Sequence, residues 1–511
     1  MRKVLLTFFF LNFLLLLASN TYDKSFEWWN STWHYRIPVE INSTTYEREN
    51  EVIEIKINFT EELENLDVVK DFDENSVRVV EYNSSGSVLY EVPSQFDKEE
   101  NYNASTNAIG TVTWIMNGTT SANQRRHYFI YFDTSENPKE KPNYTTNLTY
   151  SWDGEEFWLN NSLRAVKIDT LRGENTSGIY YATNYTIDLF NVAPTEKTIE
   201  YVMLSNDTQD FMYDLRWNAS FVAGPVKITV IQKGEEALWN KPEEKTHKAK
   251  LIKKYIFYAK QPWIKVQIKL VANASITRKT EEITAIALDA DRAFGIDALT
   301  GNTTDPFSWQ SAYSSQNKGL GIILVNESNT TNFYARGSLG EGRIGLKLDS
   351  TTLSEGESIL AEAYIYLNDK ASHEPVQELR NKLVNPVNIT KKSVEKREVM
   401  IEPKTDFSIY NKGETAIITA KVIKDTYNLV SHINATLNGV TLILYDDGTH
   451  EDEVAGDKVY TNSYTFPTNA KIGKWNLTVK AYDSNLQLLI ENSTSFNLTD
   501  CYFANLTILN P

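Results

Sequence analysis

Apolar and polar residues alternate along most of this chain, the two-residue period of strands with one buried face. Ile53, Ile55, Ile57 and Phe59 share one side of such a run, and Ile37, Val39 and Ile41 share another. Val77/Val79, Val112/Trp114 and Phe129/Tyr131 repeat the pattern between Asn, Ser and Gly turns. Further on, Val226/Ile228/Val230 follow Gly224-Pro225, and Ile264/Val266/Ile268/Leu270 alternate with Lys265, Gln267 and Lys269. A helical period shows at one place. Ser372 can cap it, Pro375 fits its first turn, Val376, Leu379 and Leu383 fall on one face, and Pro386 stops it.

These patterns predict an all-β chain of tandem antiparallel β-sandwiches, with one short helix before a C-terminal immunoglobulin-like domain. The first β domain is expected over 20–140, ending where Pro138 and Pro142 interrupt pairing. A larger β-sandwich follows over 150–387, then a polar linker over 388–398. Residues 399–499 suit one immunoglobulin-like sandwich of about a hundred residues, and 500–511 form a tail. Ahead of all this, Arg2 and Lys3 precede an apolar run from Val4 to Ala18, and small or polar residues follow it. That is the layout of a secretory signal peptide, placed at 1–19. No other apolar stretch reaches the length of a membrane-spanning helix, so no transmembrane segment is expected in the mature chain.

Composition sharpens the setting. The 511 residues carry a net charge of −16, which argues against nucleic-acid partners because phosphates would be repelled. The single cysteine, Cys501, permits no internal disulfide, so an exported chain must be stable through its cores alone. Asn-x-Ser/Thr triplets occur at 23 positions, among them Asn30, Asn42, Asn58, Asn83, Asn103, Asn117, Asn143, Asn147, Asn184, Asn218, Asn273, Asn302, Asn388, Asn434, Asn476 and Asn497. Where they fall in strands they lie opposite the apolar face: Asn58 beside Ile57 and Phe59, Asn476 between Trp475 and Leu477, Asn497 between Phe496 and Leu498. A glycan demands that outward placement, and an archaeal surface is the simplest host for a glycosylated chain without disulfides.

Residues 444–461, Leu444-Tyr445-Asp446-Asp447-Gly448-Thr449-His450-Glu451-Asp452-Glu453-Val454-Ala455-Gly456-Asp457-Lys458-Val459-Tyr460-Thr461, resemble the "DDG…GD…AGDGxYT" segment of immunoglobulin-like modules in large prokaryotic surface proteins. Glu451 and Lys458 depart from it, standing where glycines are usual. The resemblance covers about a fifth of the chain and implies a structural or adhesive module. The middle unit, by Gly224-Pro225-Val226, the strand from Trp263, and Gly319-Leu320-Gly321 before Ile322-Ile323-Leu324-Val325, looks like the galactose-mutarotase-like supersandwich found beside catalytic barrels in polysaccharide lyases. The N-terminal unit, by Trp33-His34-Tyr35-Arg36-Ile37-Pro38-Val39 and Arg125 to Phe132, is similar to β modules that precede such sandwiches in extracellular prokaryotic proteins.

Candidate chemistry is sparse. Asp446, Asp447, Asp452 and Asp457 gather hard oxygen ligands in a short glycine-containing loop, suited either to calcium or to capping backbone N–H groups in a turn. Asp289 and Asp291 are the candidates for a hydrolytic carboxylate pair, with turn-forming roles as the alternative. Trp28, Trp29 and Trp309 are candidate sugar-stacking rings, packing being their other use. No HExxH or GxSxG motif occurs. The reading is a secreted, N-glycosylated cell-surface protein, adhesive, structural or carbohydrate-binding, with extracellular polysaccharide or other surface proteins as partners. Its rival is an extracellular carbohydrate-active enzyme, a polysaccharide lyase or glycoside hydrolase, or the accessory chain of one.

Overall fold

The computed structural model describes residues 26–154, 156–169, 178–181, 210–211, 218–238, 241–278, 283–289, 295–303, 307–325, 333–338, 343–348 and 351–500. The leader, Asn184, Asp291 and all of the tail but Asp500 lie outside them. Among the described residues, strands dominate and two helices occur, Phe59–Glu64 (α1) and Glu374–Val384 (α2). The chain is all-β. No helix of the described residues is long and apolar enough to cross a membrane.

Alternation explains how the first layers form. The strand Tyr35–Asn42 buries Ile37, Val39 and Ile41, pairing antiparallel with Arg125–Thr134, which in turn pairs with Phe72–Tyr82. A second sheet of Arg48–Asn58, Ile109–Thr120 and Ser94–Lys98 covers that face. Ile53, Ile57, Phe59, Val112 and Trp114 meet Ile37, Val39, Val79 and Ile130 in one core.

The 388–398 stretch, expected as a linker, contributes two short strands to this same sheet. Asn388–Lys391 and Glu395–Lys396 both run antiparallel to Tyr35–Asn42. The chain thus returns to its first sheet before entering the last unit.

Among the described residues of the middle unit, a nine-stranded sheet runs from Asp210–Phe211 through Lys227–Leu238, Lys241–Tyr258, Trp263–Ala272, Ser358–Asn368, Lys318–Val325 and Trp309–Ser314 to Ala298–Asn302, with Asn218–Ala223 also paired to Lys227–Leu238. Its inner face, with Val266, Ile268, Ala363 and Ile322, packs on Phe157, Leu159, Ile168, Ile344 and Leu346 of two smaller sheets. Helix α2 lies on the outer face, where Val376 is buried against Ile323 and Trp309. Its N-cap position falls on His373, and the Ser372 hydroxyl accepts the Glu374 N–H at 3.0 Å.

The last unit is a two-sheet sandwich. Val399–Thr405, Thr415–Asp425 and Val459–Thr465 form one sheet. Ile409–Asn411, Leu488–Thr499, Gly473–Tyr482, His432–Leu437 and Val440–Leu444 form the other. Trp475, Leu477, Val479, Phe496 and Leu498 face inward, and Asn476 and Asn497 face solvent, as the alternation demands.

Candidate functional site

Strand Tyr35–Asn42 turns its odd residues into the core, which leaves Arg36 on the opposite face of the sheet. That face is covered rather than wet. Phe129, Tyr131, Val80 and Tyr82 line it, and the segment carrying Phe26, Trp28, Trp29 and Trp33 lies across it, with Tyr427 and Leu429 of the last unit packed alongside. Arg36 is 1% exposed, its guanidinium 4.6 Å from the Trp28 ring, 4.1 Å from Phe129 and 4.8 Å from Tyr427.

A buried guanidinium needs its donors satisfied. Here Nε donates to Glu395 at 2.7 Å, Nη1 to the Tyr131 hydroxyl at 3.1 Å and to the Glu27 carbonyl, and Nη2 to the Phe26 carbonyl at 3.1 Å. Tyr427 also donates to Glu395, at 3.1 Å. Burial alone would lower the Arg36 pKa, but Tyr131 and Glu395 outweigh it and raise it. Burial likewise drives the Tyr131 phenol up, against the pull of Arg36. This box ties the first sheet, the returning strand and the last sandwich together.

Beside the box, a cleft of about 310 Å³ opens between the first and last units. Trp28, Trp29 and Ser31 form one wall, and Asn428 to Ser431 with Asp483 to Asn485 form the other. The Ser31 hydroxyl bridges the walls by donating to Asp483 Oδ2 at 2.5 Å. Asp483 Oδ1 accepts the Asn485 and Gln487 N–H groups at 2.8 Å each, which shapes the opposing turn. Asn428, Ser431, Ser484 and Asn485 are exposed, and Trp29 is half-buried against Trp33 and Tyr131. An indole facing amides and hydroxyls can hold the C–H face of a sugar while hydrogen-bonding its hydroxyls. Hydrolysis of a glycoside ordinarily takes two carboxylates, and Asp483, the one carboxylate among the described residues that line this cleft, is already engaged.

The predicted site residues fare differently. Trp28 is 7% exposed and spends its ring on Arg36, Tyr131 and Tyr427, so of the two indoles that line the cleft Trp29 is the more exposed. Trp309 is core: it is buried beneath α2 with Ile323 and Val376. Asp289 closes the strand Ile283–Asp289, paired with Arg343 in the ladder, and its partner Asp291 lies outside the described residues. Asp483, Asn428 and Asn485 carried no sequence signal beyond that of ordinary turn residues.

The acidic loop runs from strand Val440–Leu444 of one sheet to Val459–Thr465 of the other. It brings Asp446, Asp452 and Asp457 together, each offering an oxygen within 4.8 Å of the others. Asp447 turns away, accepting the Thr449 N–H and hydroxyl at 2.8 and 2.7 Å with His450 alongside. Those bonds, led by the one from the Thr449 hydroxyl, hold its carboxyl below the ordinary aspartate range. The grouped carboxylates also serve the backbone. Asp446 accepts the N–H groups of Gly456, Asp457 and Lys458, and Asp452, 8% exposed, accepts that of Gly448 at 2.7 Å.

No family model matches the sequence, and no curated protein matches it. Among solved structures the chain is similar to an α-mannosidase from Enterococcus faecalis V583, at 9% identity and a TM-score of 0.40, covering 89% of this chain and 58% of that one. It is similar also to a glycosyl hydrolase family 38 protein from Enterococcus faecalis, at 10% identity and a TM-score of 0.40, covering 89% of this chain and 61% of that one. A polysaccharide lyase matches at 12% identity and a TM-score of 0.22, with 70% and 46% covered. The chain therefore spans less than two thirds of each of these proteins. All three are named as carbohydrate-active, and scores this low lend nothing to the cleft described above, which stands on its own residues.

Proposed function

We propose that this chain is an exported, N-glycosylated cell-surface protein that binds carbohydrate without cleaving it, in the cleft between its first and last units. The observation that carries the reading is the pairing of the Trp29 ring with exposed Asn428, Ser431, Ser484 and Asn485 across about 310 Å³, a volume at the small end of ligand sites. Extracellular polysaccharide, or the glycans of neighbouring surface proteins, is the partner class. The rival reading, a carbohydrate-active enzyme, has its candidate carboxylates in the middle unit and none paired in this cleft.

The test joins a glycan array to a reducing-end assay on the purified chain. Binding without product release is expected, with Trp29→Ala weakening it about tenfold, the 1–1.5 kcal/mol of a stacked ring. Sustained product release lost on Asp289→Asn would establish the enzyme instead, and binding indifferent to Trp29 would place the ligand elsewhere.

Calcium at the acidic loop is the proposed ion, supported by the convergence of Asp446, Asp452 and Asp457 and by calcium's preference for several oxygens at once. An ion bound only by the folded chain stabilises it by about 2.7 kcal/mol at a hundredfold excess over Kd. The melting transition of the last unit should rise by several degrees between chelator and millimolar calcium, and Asp457→Asn should shrink that rise. Coincident curves would leave these carboxylates as turn caps alone.

A further inference from the structure

We propose that the fold itself sorts the glycan-acceptor asparagines, admitting those in Asx turns and excluding those whose amide nitrogen is tied to backbone; this rests on the glycosylation proposed above. Besides Asn160, whose Oδ1 accepts the Ser162 N–H at 2.7 Å, four acceptors share one geometry. The Oδ1 of Asn30, Asn42, Asn83 and Asn103 accepts the backbone N–H of the sequon's own third residue, Thr32 at 3.0 Å, Thr44 at 2.8 Å, Ser85 at 2.9 Å and Ser105 at 3.0 Å. At Asn30 and Asn83 the hydroxyl of that residue donates to the same oxygen, at 2.9 and 2.7 Å.

With Oδ1 held to the backbone, the amide plane is set and Nδ2 is directed away from the turn. Among the described residues, Nδ2 of Asn30, Asn42, Asn83 and Asn103 has no acceptor. Two other sequons are built the opposite way. Asn147 Nδ2 donates to the Asn161 carbonyl at 2.8 Å, and Asn492 Nδ2 to the Ile401 carbonyl at 2.9 Å.

The chemistry separates the two groups. In transfer from a lipid-phosphate-linked oligosaccharide, Nδ2 forms a bond to the anomeric carbon. The bond from that carbon to the phosphate oxygen breaks, the lipid phosphate leaves with the electron pair, and Nδ2 gives one proton to a base of the transferase. Nδ2 must therefore be open to solvent on the side where the donor arrives. Hydrogen bonds to Oδ1 also draw electron density toward the oxygen and make the Nδ2 protons more acidic. An Nδ2 already donating to a carbonyl must first break that bond, leave the carbonyl unpaired, and swing away from the strand or turn it is laid against.

Site-resolved glycopeptide mass spectrometry of protein exported by its native host tests this, with glycans released in heavy-oxygen water to mark each occupied asparagine. Occupancy at Asn30, Asn42, Asn83 and Asn103 is expected to exceed that at Asn147 and Asn492 several-fold. Equal occupancy at all six would overturn the sorting while leaving glycosylation intact. Bare asparagine at all six would overturn glycosylation at these sites and the sorting with it. A second measurement presents unglycosylated chain, folded and then urea-unfolded, to the host's transferase. Asn147 and Asn492 should accept glycan only after unfolding, and acceptance by the folded chain would refute the role assigned to their hydrogen bonds.

Discussion

Glu451 and Lys458 hold φ of +67° and +68°, a region that costs a residue with a Cβ about 1 kcal/mol and glycine almost nothing. They are the two positions at which the loop departs from the glycines of the module it resembles, so the departure has a physical address. Lys458 keeps this backbone while its N–H donates to Asp446 Oδ2 at 3.0 Å. Lys458→Gly should relieve the strain at some cost in unfolded-chain entropy, a net gain of roughly 0.5–1 kcal/mol read from the urea midpoint of the full chain. Lys458→Ala removes the same ammonium without relieving φ and should bring no gain. If the glycine variant is the less stable, the lysine charge in this acidic loop outweighs the strain.

At the scale of elements, periodicity located the strands around Ile37, Ile53, Val79, Val112, Val226 and Ile264, whose apolar faces are buried. Helix α2 shows the same logic with a different period: Val376 is fully buried, and Leu379 and Leu383 are half-buried behind it. What the helix rests on was not visible in its own residues. Gly321, in strand Lys318–Val325, leaves the space that Val376 fills, and a Cβ there would sit 2.4 Å from Val376 Cγ2. Gly321→Ala should therefore cost about 2 kcal/mol by overpacking, measured as a fall in the denaturation midpoint, and Val376→Ala in the same chain should restore part of it. An unchanged midpoint would mean the helix can lift at no cost. The same layering decides Trp309, whose ring lies under α2. Asn388–Lys391 escaped notice as a strand because Ile389 is its lone apolar residue, too little for an alternation to show.

Across the whole molecule the units meet through polar groups as well as rings. The Gly224-Pro225 turn of the middle unit sits on Gln95 of the first, whose Oε1 accepts the Val226 and Lys227 N–H groups at 3.3 and 3.0 Å. A Cβ at Gly224 would fall 2.2 Å from that side chain. Lys227 reaches Glu54 at 2.6 Å and Asp97 at 3.2 Å, and Tyr258 donates to Glu54 at 3.1 Å. Burial alone would raise the Glu54 carboxyl, but Lys227 and Lys265 outweigh it and hold it below its ordinary value of 4.5. A depressed carboxyl contributes stability above its unfolded pKa and loses it as pH falls through the lower folded value. Glu54→Gln should therefore destabilise the chain by about 2 kcal/mol near neutral pH, with the gap to the parent constant down to about pH 5 and closing below 4.5. A gap that persists unchanged at pH 3 would assign the loss to packing instead of charge.

The sequence by itself determined the all-β class and the faces of its regular strands, because alternation and turn chemistry are local and read within a few residues. It also placed α2, whose cap, proline and apolar stripe are likewise local. Tertiary structure alone decided which rings are core and which border a cleft. Trp28, Trp29 and Trp309 look alike in sequence, and they part only when Arg36 is boxed by residues from positions 28, 129, 131 and 427 and when α2 is laid over position 309. It also decided that Asp446, Asp452 and Asp457 converge while Asp447 turns outward, since side-chain direction in that loop follows from left-handed backbone at Gly448, His450, Glu451, Gly456 and Lys458. The cleft itself is made by two surfaces more than 390 residues apart along the chain. No local pattern encodes it, because it exists only where the first and last units are held together.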